Sequence, residues 1–160
     1  MTKLELLRRE KDLSQMQLSN ISGVEQKTIS TYETEKGLID NARLKTLCKF
    51  AKALNVKISD LVDDATKEML ISVCGYDESK HDPWFEGSRM VEMRREMKIT
   101  QQELADELFI SQSRIAKWEC YGVENLSICR ICQLCISLAC HPCDLIDDKI
   151  LRDELRGVLL

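Results

Sequence analysis

The sequence predicts an all-α chain built from two tandem five-helix units. One pattern occurs twice, 86 residues apart: Arg8-Arg9-Glu10, Leu13-Ser14-Gln15, Leu18, Gln26, Ile29 and Tyr32-Glu33 return as Arg94-Arg95-Glu96, Ile99-Thr100-Gln101, Leu104, Gln112, Ile115 and Trp118-Glu119. An internal repeat sets the number of folding units. Composition agrees: 160 residues, 44% apolar and only 5% aromatic, suit small bundles packed with Leu, Ile and Ala. Units of about 60 to 75 residues are just large enough to sustain a core each.

Read in order, residues 1–64 form the first unit, 65–83 a connection, 84–148 the second unit and 149–160 an amphipathic tail. Residues 3–11 carry Leu4 and Leu7 on one side of a charged helix. Ser14 is a good N-cap for a second helix, Gln15 to Ile21, with Leu18 and Ile21 inward. Gly23 supplies the tight turn, because a positive φ costs glycine nothing. A third helix runs from Glu25 to about Thr34, burying Val24, Ile29 and Tyr32. Lys36 to Asp40 is a loop, with Asp40 or Asn41 capping a fourth helix. Leu44, Leu47, Phe50, Ala51 and Leu54 line that helix at i, i+3, i+4 spacing. A short fifth helix, Ser59 to Asp63, closes the unit through Leu61.

In the connection, the apolar run Met69 to Cys74 extends helix five or forms a short strand; its periodicity fits both. GYDESKHD is turn-rich, and Asp82-Pro83 reads as a cap followed by proline at the first helical position. The second unit repeats the order with helices at 84–97, 101–108, 112–120 and 126–138 and a short one after Pro142. Its loop before the fourth helix is two residues shorter, so Leu145 answers Leu61. Ile150, Leu151, Leu155, Val158 and Leu159 make the tail suited to packing on a domain or to self-association.

Net charge is −4. Residues 1–64 hold eleven Lys/Arg against ten Asp/Glu, residues 65–84 two against four, and residues 85–160 ten against thirteen. A near-neutral chain with one basic face remains compatible with a polyanionic partner, with modest non-specific affinity. No apolar run has the length of a membrane span, and the N-terminus lacks the apolar stretch of a signal peptide, so a cytoplasmic protein is expected.

Chemistry concentrates on the third helix of each unit. Gln26, Lys27, Thr28, Ser30 and Thr31 fall on its outer side in the first unit, and Gln112, Ser113, Arg114 and Lys117 in the second. A B-DNA major groove admits one α-helix, where Gln can bond adenine bidentately, Lys or Arg guanine, and Thr a thymine methyl. Gln15 and Gln101, which begin the second helices, can hold a phosphate and fix the angle of approach.

Both units resemble the Cro and lambda-repressor-like helix-turn-helix family, the xenobiotic-response-element type. The resemblance covers roughly residues 3–63 and 88–147, through LRREKDLSQMQLSNISGVEQKTISTYE and EMRREMKITQQELADELFISQSRIAKWE, followed by TLCKFAKALNVKISDLV and RICQLCISLACHPCDLI. It implies structural ion pairs between Arg8 and Glu33 and between Arg94 and Glu119. It also implies base- or phosphate-facing roles for Gln15, Gln26, Lys27, Thr28 and Thr31, and for Gln101, Gln112, Ser113, Arg114 and Lys117. The second copy departs at the turn, where Phe109 replaces the glycine. A bulky residue at positive φ costs about 1 kcal/mol or more, so this turn is expected to be reshaped or strained.

Five of the eight cysteines fall in CRICQLCISLACHPC. C-x2-C-x2-C suggests an iron–sulfur site, but four residues rather than three separate the third cysteine from the fourth, and His141, not proline, succeeds it. Against the first copy, Cys132 replaces Cys48, Cys135 replaces Ala51 and Cys140 replaces Val56, all inward positions where cysteine acts as a small hydrophobe. Cys129 and Cys143 are expected at the surface, as are His81 and His141, and no metal or cofactor is expected.

No arrangement of nucleophile, base and oxyanion donors appears, so the chain is not read as an enzyme. The expectation is a sequence-specific DNA-binding transcriptional regulator, a bacterial or phage repressor, acting on double-stranded DNA. Two unlike recognition helices on one chain would suit an asymmetric operator, and a flexible 20-residue connection spans about 25 Å. The alternatives are an antitoxin-like or scaffold protein whose second unit or tail binds a protein partner or self-associates, and a cysteine-based metal or redox sensor.

Overall fold

The computed structural model describes residues 1–36, 38–73 and 75–160. Gly37, placed in the loop after the third helix, and Cys74, at the end of the Met69–Cys74 run, lie outside the described residues. Among these residues the chain forms helices α1 (Lys3–Glu10), α2 (Gln15–Ser22), α3 (Gln26–Thr34), α4 (Leu44–Leu54), α5 (Ile58–Leu61) and α6 (Asp64–Ser72). The second half contributes α7 (Arg89–Glu96), α8 (Gln101–Glu107), α9 (Gln112–Tyr121), α10 (Ile128–Ser137) and α11 (Lys149–Val158), with 3-10 turns at Ile39–Asn41, Glu78–Lys80 and Pro142–Leu145. The described residues hold no strand.

The two copies are built from matching local signals. Ser14 caps α2 and is answered by Gln17, and Thr100 caps α8 and is answered by Glu103, a reciprocal box in each case. Leu4, Leu18, Ile29, Leu44, Leu47 and Phe50 are buried in the first unit, and Met90, Leu104, Ile115, Ile128, Ile131 and Leu134 in the second. Tyr32 meets Phe50 edge-on at 6.0 Å, seating α3 on α4. Ile21, expected inward, is exposed, because the buried side of α2 runs through Leu18 and Ser22.

Each copy bends the backbone into the left-handed region at three equivalent places. The first uses Asp12 (φ 55°), Gly23 (69°) and Asn55 (52°); the second uses Lys98 (57°), Phe109 (55°) and Ala139 (49°). Asp, Asn and Gly take that conformation readily, whereas for Lys, Phe and Ala it costs about 1–2 kcal/mol each. Phe109 therefore stands in the same left-handed region as Gly23 but in a turn bonded differently, with Ile110 N–H on the Ala105 carbonyl where the first copy has Gly23 N–H on the Ser19 carbonyl. The second unit stores strain that the first avoids. Since Phe109 is 95% exposed, Phe109→Gly should discard little packing. We expect it to raise stability by about 1 kcal/mol, read as a higher urea midpoint at unchanged m-value.

The two units share one apolar core. An antiparallel bridge joins Arg43 to Ser127. These residues are equivalents, each standing immediately before its unit's fourth helix. Beside the bridge, Leu44 N–H donates to the Leu126 carbonyl at 2.9 Å. Helix α6 leaves the first unit and packs on α10 of the second, and α11 leaves the second and packs on α4 of the first. At the far ends Lys57 Nζ donates to the Gly157 carbonyl, while its equivalent His141 stacks obliquely on Tyr76 at 5.8 Å. Equivalent segments meeting antiparallel, with reciprocal packing, define a pseudo-two-fold axis between the copies.

This exchange corrects several expectations. The fourth helix is entered from Arg43, not from Asp40 or Asn41, since its first N–H is satisfied by the other unit's Leu126; Asp40 instead accepts from Asp63 N–H at 2.7 Å. The Met69–Cys74 run is part neither of helix five nor of a strand over its described residues. A break at Val62 and a cap by Asp63 start α6 as a separate helix. The second unit's first helix begins at Arg89, capped by Ser88, rather than at 84, because the chain before it folds back so that Asp82 N–H bonds Glu92 on that helix.

That wrapping explains His81, which was expected at the surface. Its ring is 6% exposed, with Nδ1 2.7 Å from Glu92 Oε2 on α7 and Nε2 2.9 Å from Asp144 Oδ1. Asp82 N–H donates to the other Glu92 oxygen, and Arg89 pairs with Glu78 at 2.6 Å. The connection is thus tied down at both ends and is not a flexible tether.

Cys143, also expected at the surface, is fully buried, because α11 crosses over it and its thiol donates to the Arg152 carbonyl. Cys129 is half-buried and Cys120 exposed. Cys135 and Cys140 form the apolar contact of the helix C-cap in which Cys140 N–H bonds the Cys135 carbonyl, the place that Ala51 and Val56 occupy in the first copy. Burial pushes the Cys48, Cys132 and Cys143 thiols up to about 12, which leaves little reactive thiolate. Among the described residues no group of three or more His, Cys, Asp or Glu side chains could hold a metal ion. No helix of these residues is long and apolar enough to cross a membrane.

Candidate nucleic-acid interface

The candidate surface is built on a buried ion pair. Arg8 on α1 reaches Glu33 at the end of α3 with Nε–Oε1 at 2.7 Å and Nη2–Oε2 at 2.8 Å, and its Nη1 donates to the Leu13 carbonyl. Both side chains are under 10% exposed. Gln15 at the start of α2 donates an amide hydrogen to Glu33 Oε2 at 2.8 Å, so one carboxylate ties three helices together. Burial alone would raise the Glu33 carboxyl, but the Arg8 and Gln15 hydrogen bonds, with the charges of Arg8 and Arg9, hold it below its ordinary value.

The second unit repeats the clamp: Arg94 to Glu119 at 2.5 and 3.3 Å, Arg94 to the Ile99 carbonyl, and Gln101 to Glu119 at 2.7 Å. Three donors on each carboxylate fix the angle of α3 against α2, and of α9 against α8.

Above the clamp the sequence-selected side chains emerge. Gln26, Lys27, Ser30 and Thr31 are exposed and Thr28 is half-buried beside Ile29. Gln15, Gln26, Lys27, Ser30, Thr31, Thr34 and Glu35 line one shallow groove, so α2 and α3 present a common face. Gln112, Ser113, Arg114 and Lys117 are likewise exposed on α9, and Gln112 leans on Gln101 at 3.4 Å. Gln15 and Gln101 differ from the rest: each has one amide hydrogen committed to its glutamate and one left to donate outward. Thr31 returns its hydroxyl hydrogen to the Lys27 carbonyl, leaving its oxygen and methyl outward.

No side chain among the described residues caps the start of α3 or α9, in contrast to α2 and α8. Their first N–H groups stay open beside the outward-facing polar tips, an arrangement suited to negative charge. Phe109, which the residue-by-residue reading treated only as a turn defect, stands fully outside next to this edge in the second unit.

Two short helices at a fixed angle, the second carrying amide, hydroxyl and cationic tips, occur here twice over. A helix-turn-helix family model matches residues 4–61, and a Cro/C1-type helix-turn-helix DNA-binding domain model matches residues 89–149. The chain belongs to the Cro/C1-like helix-turn-helix class, in two tandem copies. No curated protein and no solved structure matches it. Within this class the Arg8–Glu33 and Arg94–Glu119 pairs are structural, since their charged groups lie beneath the outer face and not on it. Both helix-turn-helix domains keep the clamp, including the second, where Phe109 replaces the glycine.

Proposed function

We propose that this chain is a sequence-specific DNA-binding transcriptional regulator that lays α3 and α9 in the major groove of double-stranded DNA. The observation that supports this best is the outward, unobstructed placement of Gln26 and Lys27, and of Gln112 and Arg114, over a buried clamp that sets each helix's angle. In this reading residues 1–64 and 84–148 are the working domains, and the connection and tail lock them together. Gln15 and Gln101 position the domains on phosphates. Gln26, Lys27, Thr28, Ser30, Thr31, Gln112, Ser113, Arg114 and Lys117 meet base edges or phosphates.

Selection from a pool of random duplexes tests this: enrichment of a defined sequence is expected, and a pool that stays random overturns the proposal. On the selected site Gln26→Ala and Lys27→Ala should each weaken binding by about 1–3 kcal/mol while helical content is unchanged. Variants that bind as tightly as the parent would remove α3 from the interface.

A further inference from the structure

We propose that a single chain occupies an imperfect inverted repeat, whose two half-sites share one base pair and differ beside it. This rests on the DNA-binding reading above, and adds how the two domains divide one operator.

The orientation comes from the pseudo-two-fold axis. Arg43 and Ser127, equivalent residues, pair antiparallel, and α6 on α10 is answered by α11 on α4. Rotation about an axis leaves height along that axis unchanged, so α3 and α9 stand at the same level on opposite sides of it. A direct repeat would require the two helices to be related by translation. The same contacts bury Leu70, Leu155 and Leu159, and Lys52 pairs with Glu154 across the junction at 2.7 Å. The relation between the domains is therefore set before DNA arrives, and one chain supplies what otherwise takes two subunits.

The inequality of the halves comes from side-chain chemistry. Gln26 and Gln112 are equivalent and identical, both exposed, and both able to take adenine through N6 and N7. The next two positions diverge: Lys27 against Ser113, and Thr28 against Arg114. In the first domain the cation follows the glutamine directly. In the second it stands one residue later, displacing the guanine contact. Thr31 against Lys117 adds a further difference.

The test pairs sequence selection with sedimentation of the chain on the selected duplex. Expected are two inverted half-sites, centred about one helical turn or a whole multiple of it apart, bound by one chain. The variant Ser113→Lys with Arg114→Thr and Lys117→Thr gives the second domain the first domain's reading residues at these three exposed positions. It should prefer a perfect inverted repeat of the first half-site over the parental operator by about tenfold. Enrichment of a direct repeat or a lone half-site, two chains per duplex, or an unaltered preference in the variant would each overturn the inference while leaving DNA binding standing. A pool that stays random would remove the DNA-binding reading and this inference together.

Discussion

Replacing Glu33 with alanine is expected to destabilise the protein by about 3–5 kcal/mol, because it strands the Arg8 guanidinium in a site where both partners are nearly out of water. The loss exceeds that of a surface pair, which is worth roughly 1 kcal/mol or less. It should also reach beyond stability. Gln15 loses its acceptor in the same stroke, so α2 and α3 are freed from one another and the outer face loses its fixed angle. Glu33→Gln keeps the shape but not the charge and should fall between. Denaturant titration measures the change, and a cost under about 1 kcal/mol would mean that the pair is not the clamp described.

The same carboxylate predicts an acid limit. Glu33 is held below its ordinary value in the folded chain, so its contribution is fully present above the unfolded carboxyl pKa and is lost as pH falls through the lower folded value. Stability at neutral pH should be flat and should begin to fall below about pH 4, with a shallower slope in Glu33→Gln.

Leu155→Ala should cost about 2–5 kcal/mol, and its damage should appear in the other domain. Leu155 is fully buried on α11, which belongs in sequence to the second half but covers α4 of the first. Cys48 on α4 shares a groove wall with Leu151 and Glu154, and burial raises its thiol to about 12. Loosening α11 should expose it. Mass spectrometry after a brief pulse of thiol reagent should find Cys48 and Cys143 labelled in Leu155→Ala and protected in the parent. If labelling is unchanged and unfolding occurs at the same denaturant concentration, α11 does not hold the two domains together. One cooperative transition is expected for the parent, since neither domain buries its fourth helix alone.

Much of the site was readable in the residues. Apolar spacing located α3 and α9, and the duplicated Arg, Gln and Glu positions marked what would surround them. Gln26, Lys27 and Arg114 were selected by type and outward phase, and they stand in solvent as that phase requires. The signal for Arg8–Glu33 came through the family resemblance, since partners 25 residues apart on different helices leave no periodic trace. His81 was missed for a related reason. A lone histidine in a polar stretch reads as solvated until Glu92 and Asp144, 11 and 63 residues away, are brought to either side of it.

Local chemistry alone therefore determined α1 to α3, α8 and α9, the caps of α2 and α8, the repetition and the polar face, because capping and hydrophobic phase act within a few residues. Tertiary structure decided how the copies meet: α6 and α11 trade places, Leu126 satisfies the first N–H of α4, and Cys143 is roofed over. Those outcomes depend on which apolar face finds which partner, a long-range choice settled by burial and by open backbone hydrogen bonds, and amphipathic phase does not name the partner.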